Sequence, residues 1–354
     1  MSKKLLMFTS ENMSDPASRI RGYYMAHCLS KSGIKTEVLF YEYMKGSVVK
    51  KLAHITEDCF NKIKAASKSG KDTLIYIQRG INSQLAVFSL FFSFYSKYIL
   101  RKRVVYDIDD ALFLQGPMRA HVVNGLIKFS DAVIVGGHEL FSYAQKYNKR
   151  TFIIPTSVEL QPYSVHRTNY EKCVKLGFIG STSTTHYLTL LINPLAELAK
   201  QCDFELVIMS ASSAAEYQLF ESLFEKFRKN GVKVKLISWS IANESVCLKN
   251  INIGLAPLFD TAWEKYKCAF KVINYMASGI PTAASAVGEQ SCVIQDGYNG
   301  FLCKNDAEWF RKLKTLVEDE ALRKEMGLAA RKTVEEHYSC QKNAQVLANI
   351  LTQL

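Results

Sequence analysis

A chain of 354 residues exceeds a comfortable single core, so two domains of roughly 150–200 residues are expected. With 48% hydrophobic and 22% charged residues the composition is that of a globular protein, which excludes a disordered chain. The formal charge of +12 calls for an anionic partner, and three classes fit: nucleic acid, an anionic membrane surface, or phosphorylated small molecules.

The first apolar run, residues 5–9, is too short for a signal peptide and has no small-residue cleavage site, so it reads as a buried first strand. Ser18-Arg19-Ile20-Arg21-Gly22 follows it, and a helix is predicted over 20–32 with Gly33 as its stop. Further strands are predicted at 36–41, 73–78, 103–107, 132–135 and 151–154. Arg79 directly follows the third. The segment 85–103 joins an aromatic-rich stretch to the cations Lys97, Arg101, Lys102 and Arg103. It suits an interfacial membrane helix, but the preferred reading is a buried crossover helix with a cationic last turn that complements the helix dipole.

After the fourth strand comes Tyr106-Asp107-Ile108-Asp109-Asp110-Ala111. Carboxylates this close repel one another unless they bind something. Magnesium binding, helix capping by Asp109 or Asp110, and a role at the acceptor or reacting sugar are the alternatives. The stretch 154–163, with the polar His166, Arg167, Thr168 and Asn169 behind it, reads as an interdomain linker.

Strand–helix alternation then restarts, with strands at 174–179, 204–209, 233–237, 251–256 and 282–284, and helices at 220–229 and 270–278. The tail from 306 to 354 is helical, broken near Asp319 and at 337–339. This alternation predicts an α/β protein of two doubly wound parallel-sheet domains, 1–160 and 170–338. Ligands of such sheets bind at the carboxyl ends of the strands.

The most informative run is Lys267-Cys268-Ala269-Phe270-Lys271-Val272-Ile273-Asn274-Tyr275-Met276-Ala277-Ser278-Gly279-Ile280-Pro281. A helix starting near Ala269 offers free N–H groups to a diphosphate. Lys267 and Lys271 are expected one turn apart on the same anion, with Asn274 a turn further, placed for neutral sugar hydroxyls. Nine cysteines are scattered without a C-x-x-C pair, which suits buried thiols in a reducing compartment. No helix-turn-helix, zinc-finger spacing or RNP-like motif supports nucleic acid. No stretch approaches the ~18 apolar residues that cross a bilayer.

That central run, the linker Ile154-Pro155-Thr156-Ser157-Val158, the opening Leu176-Gly177-Phe178-Ile179-Gly180-Ser181 and the ending Val334-Glu335-Glu336-His337-Tyr338-Ser339 together resemble family 4 of the retaining glycosyltransferases. The resemblance implies the GT-B fold, two facing Rossmann-like domains with a cleft between them, the last helix (about 339–354) returning to the first domain. It implies transfer of a sugar from a nucleoside diphosphate donor to a glycan or lipid-linked acceptor, with retention, at a cytoplasmic site that is peripheral to the membrane if the acceptor is lipid-linked. No cofactor and no metal are expected.

Donor-site residues implied by the resemblance are Gly180, Ser181, Thr182, His186, Ser240, Ile241, Lys267, Phe270, Lys271 and Asn274. Arg19, Arg21, Arg79 and Asp107 fall on the acceptor side, with Asp109, Asp110 and Lys271 as the catalytic set. For the three arginines, structural salt bridging is an equal alternative. The departures are specific. Asn274 stands where the family has a ribose-binding glutamate, Tyr266 at its upstream glutamate, and Ser181 and His186 at its diphosphate-binding arginine and lysine. An inactive sugar-nucleotide-binding subunit and a sugar-nucleotide epimerase of the same fold therefore stay as rival expectations.

Overall fold

The computed structural model describes residues 3–42, 47–82, 85–161, 163, 173–211 and 213–354. Pro162 and His166–Asn169 of the expected linker lie outside them. The chain forms two compact units. One comprises Met1–Val158, Tyr266–Cys268 and Ser339–Leu354, the other Glu159–Lys265 and Ala269–Tyr338.

The first unit holds a parallel sheet of β1 (Lys4–Thr9), β2 (Lys35–Phe40), β3 (Thr73–Gln78), β4 (Val104–Ile108), β5 (Ala132–Val135) and β6 (Thr151–Ile153), in the order β2-β1-β3-β4-β5-β6. All six residues of the central β3 are buried, as a strand covered on both faces requires, whereas the edge strand β2 has none buried. Helices Met25–Lys31 and Cys340–Thr352 cover the face carrying Leu5, Met7, Leu74, Tyr76, Val105 and Ile134. Phe8, one residue out of that alternation, meets Phe92 on the other face. The C-terminal helix is tied down at both ends. Cys340 N donates to Val158 O at 2.8 Å, and Lys3 Nζ donates to the carbonyls of Leu351 and Thr352 at 3.1 and 2.8 Å.

The second unit holds β7 (Val174–Ile179), β8 (Phe204–Met209), β9 (Lys233–Leu236), β10 (Ile253–Ala256), β11 (Thr282–Ser285) and β12 (Phe301–Cys303), again parallel, in the order β12-β11-β10-β7-β8-β9. Five of these strands are expected from sequence; the sixth, the three-residue β12, is not, and it pairs with β11. So short a strand carries no readable alternation, and its pairing is supplied by the neighbour. The predicted helix 20–32 also differs in detail, because Ser18–Tyr24 is a π-helix that passes into the α-helix Met25–Lys31.

In each sheet the strand order reverses once, between β1 and β3 and between β7 and β10. Such reversals leave a crevice at the strands' carboxyl ends where ligands of α/β sheets bind.

Candidate functional site

In the second unit, β7 runs into Gly180-Ser181 at the reversal point. Its neighbour there is the helix Phe270–Ala277, which starts after Ala269 in the left-handed region (φ 52°). Tyr275 locks this helix to the strand. Its hydroxyl accepts from Ile179 N at 2.7 Å and donates to Gly177 O at 2.9 Å, and the side chain is fully buried. Burial raises its pKa well above the ordinary tyrosine value, so it stays a neutral donor. A side chain at Gly254 would put its Cβ 2.5 Å from the Tyr275 ring, so this approach requires glycine. Tyr275 lies within the central run, but this role is not legible there, because the link joins residues 98 apart.

So anchored, the helix carries Lys271 to the end of β7. Its Nζ lies 3.6 Å from the Phe178 ring centroid, a cation–π contact, and 3.0 Å from where a Cβ on Gly180 would stand. The ammonium thus overhangs the glycine turn. Phe270 opens the helix, half-buried. Lys267 does not share it. The helix begins at Phe270, and Lys267 belongs to the first unit, where its charge acts on Asp110. The expectation that both lysines lie one helical turn apart on a single helix is corrected by that start.

The Ser/Thr run after Gly180 is ordered by its own hydroxyls. Ser181 N donates to Thr184 Oγ1 at 3.0 Å, Ser181 and Ser183 share a 2.8 Å contact, and Thr182 Oγ1 donates to Ser210 O at 3.4 Å. This begins the 3-10 helix Thr182–Leu191. Exposed His186 stacks on Phe259, centroids 5.9 Å apart, and lies 4.2 Å from the Tyr187 ring.

Ser240 caps the helix Ile241–Lys249, its hydroxyl accepting from Asn243 N at 3.0 Å, and Ile241 is that helix's first residue. Trp239 is half-buried, and its Nε1 donates to Glu244 Oε2 at 2.9 Å. Asn274, only 4% exposed, donates through Nδ2 to Glu244 Oε1 at 2.8 Å. Glu244 went unnoticed in sequence because only the packing of two helices brings it to Asn274.

In the first unit, Arg21 and Asp107 form a buried pair, with side chains 3% and 2% exposed. Arg21 Nε and Nη2 donate to the two Asp107 oxygens at 2.8 and 3.1 Å, and Nη1 donates to Ile154 O at 2.9 Å. The Tyr76 hydroxyl also donates to Asp107. Burial pushes the Asp107 carboxyl up, opposed by the Arg21 guanidinium. Buried Arg19 donates to Met13 O at 3.1 Å. Of the two readings for Arg21, the geometry is that of the structural salt bridge, and Asp107 is committed to it.

Arg79 stands in the left-handed region (φ 59°), uncommon and costly for a side-chain-bearing residue. Its Nε donates to Asp109 and its Nη2 lies 3.5 Å from Asp110 Oδ2. Burial raises the Asp110 pKa, against the charges of Lys267 and Arg79. The capping alternative for these carboxylates is not what forms, since the 3-10 turn Leu112–Leu114 has no side-chain cap. Cys268 Sγ donates to Asp109 O at 3.0 Å. Asp109, Asp110, Arg79 and Lys267 therefore make one partly buried charged cluster at the carboxyl ends of β3 and β4.

The four cations of 97–103 do not form a free cluster. Lys97 pairs with Asp131 at 3.2 Å, Arg103 pairs with the same carboxylate at 3.2 Å, and Lys102 is buried, donating to Gly70 O at 2.7 Å. What projects instead is an apolar stripe along Ala86–Phe94 and Tyr95–Ile99: Val87, Phe91, Phe94, Tyr98 and Ile99, each 45–62% exposed. Among the described residues no helix is long and apolar enough to cross a membrane.

Residues 173–319 match the family model described as Glycosyl transferases group 1. No curated protein matches the chain in sequence. Among solved structures, HepE of Anabaena in complex with UDP and glucose is 16% identical with a TM-score of 0.74, the match covering 100% of both chains. Sucrose-phosphate synthase from Thermosynechococcus elongatus is 14% identical at 0.75, covering 100% of this chain and 99% of that one. A glycosyltransferase from Rickettsia africae is 12% identical at 0.75, covering 99% and 98%. The chain thus has the GT-B glycosyltransferase fold, and its segment 173–319 is similar to the Glycosyl transferases group 1 domain.

Proposed function

We propose that the chain is a glycosyltransferase that moves a sugar from a nucleoside diphosphate donor to a glycan or lipid-linked acceptor, with retention, in the making of a cell-surface polysaccharide or glycoconjugate. One observation carries the reading. The Lys271 ammonium overhangs the Gly180 turn at the reversal point of the second sheet, inside the segment similar to the Glycosyl transferases group 1 domain. Departure of a nucleoside diphosphate builds negative charge on its leaving oxygen, and a preset cation there is worth roughly 3–4 kcal/mol of barrier. The donor is the co-substrate, and the reaction needs no other cofactor.

Uridine diphosphate sugars are the first donors to test, since HepE was crystallised with UDP-glucose. Single-turnover reactions with radiolabelled UDP-, GDP- and ADP-sugars, offered lipid-linked and free glycan acceptors, should yield one labelled glycan whose anomeric configuration matches the donor. Nucleotide binding without transfer to any acceptor would favour the inactive subunit. Return of an isomerised donor would favour the epimerase.

In this reading Asp109 and Asp110 serve the acceptor or the transferred sugar. Asp110→Asn should lower transfer at least tenfold while leaving the melting temperature at neutral pH unchanged or slightly raised. The sign follows from the raised Asp110 pKa: ionisation costs more in the folded than in the unfolded state, so that cost is present above the folded pKa and fades below it. An early-melting variant with full transfer per folded molecule would assign the residue to structure.

The apolar stripe supports attachment to an anionic bilayer at the cytoplasmic face, with the exposed Arg101 and Arg103 beside it. Phe91→Asp with Ile99→Asp should abolish sedimentation with phosphatidylserine vesicles at low salt. Arg101→Gln should weaken it by about 1 kcal/mol. Unchanged sedimentation of the aspartate variant would discard the stripe.

A further inference from the structure

Helix Phe270–Ala277 carries a second polar feature one turn beyond Lys271. Asn274 is 96% buried by complement of its 4% exposure, and its Oδ1 has no hydrogen-bond partner among the described residues. Beside it, the Glu244 carboxylate is held from two sides, one oxygen by Asn274 Nδ2 and the other by Trp239 Nε1. Two N–H donors fix the carboxylate but use only two of its roughly four acceptor positions. The result is a preset, acceptor-rich corner made of Glu244 and Asn274 Oδ1. Its chemistry asks for hydroxyl donors and repels phosphate.

The corner's place gives the ligand a direction. Asn274 lies three residues after Lys271, about 4.5 Å further along the helix axis. An anion at Lys271 and a hydroxyl-bearing ring at Glu244 and Asn274 are thus spaced as the diphosphate and ribose of one nucleotide, which leaves the base toward Ser240 and the amino end of helix Ile241–Lys249. We propose that Glu244, positioned by Trp239 and Asn274, accepts hydrogen bonds from the vicinal ribose hydroxyls of the donor nucleotide. This rests on the donor site proposed above and adds a residue from a different helix. A carboxylate set against ribose hydroxyls is the same chemistry by which dinucleotide folds hold theirs.

The test removes the bond from each side. Titration calorimetry would compare UDP with 2′-deoxy-UDP and 3′-deoxy-UDP, or the ADP or GDP set if that nucleotide binds best. In the unaltered protein at least one deoxy analogue should bind roughly 10- to 100-fold more weakly. In Glu244→Ala the parent nucleotide should weaken by a similar factor and the deoxy penalty should disappear. Glu244→Gln, of the same shape, should keep the fold if the alanine variant does not, and should shrink the penalty. An undiminished deoxy penalty in a folded variant overturns the assignment of Glu244 while leaving the donor site standing. A protein that binds none of the three nucleotides overturns the donor site, and this inference with it.

Discussion

Lys271→Ala is expected to weaken nucleoside diphosphate binding by about 1.5–3 kcal/mol, roughly 10- to 150-fold in Kd. The ammonium lies 3.6 Å from the Phe178 ring centroid and stands at the Gly180 turn, so the charge is held where an anion enters and costs little ordering on binding. Removing it deletes one charge-assisted bond without touching the Tyr275 anchor, which is why the melting temperature should change little. Lys271→Arg is a sharper probe. It keeps the charge but not the compact head, and the tight approach to Gly180 should deny much of the recovery. Calorimetric titration with the cognate diphosphate decides it, and an unchanged Kd in the alanine variant removes Lys271 from the site.

The second large effect is on stability. Arg21→Met is expected to destabilise the protein by about 3–5 kcal/mol, the cost of leaving one member of a buried ion pair alone. Asp107 would keep the Tyr76 hydroxyl but lose both guanidinium bonds at 1% exposure. The effect should depend on pH. Burial raises the Asp107 pKa, and in the variant nothing cationic opposes it from position 21. A raised folded-state pKa means stability is retained at low pH, where the carboxyl is protonated, and lost as pH rises through that value. Urea midpoints of the variant should therefore approach those of the unaltered protein as the pH is lowered toward the carboxylate range. Arg21→Met combined with Asp107→Leu should recover much of the loss, because no unpaired charge stays buried. Normal urea midpoints with transfer abolished would return Arg21 to the acceptor side.

Two parallel sheets with helices between their strands were legible from the chain alone. So were most strand ends, because short, fully buried runs such as Thr73–Gln78 and Ala132–Val135 are bounded by polar or glycine residues that end them. Helix Phe270–Ala277 was legible for the same local reason, and with it Lys271 at the helix start. The breaks read near Asp319 and at 337–339 are local too, since Asp319 and Ser339 cap the helices that follow them.

Tertiary structure alone decided which charges are free. Arg21 and Asp107 are 86 residues apart, Arg79 and Asp109 are 30 apart, and Asn274 and Glu244 are 30 apart. Nothing in a local pattern distinguishes Arg21, sealed in an ion pair, from an arginine facing a ligand. Nor does it separate Lys97, Lys102 and Arg103, each bound to an acceptor, from a solvated basic cluster. Local sequence determined the elements, since hydrophobic periodicity and caps act within a few residues. The partners of each buried charge were left to the fold, since they come from other strands and helices, and burial makes those partners obligatory.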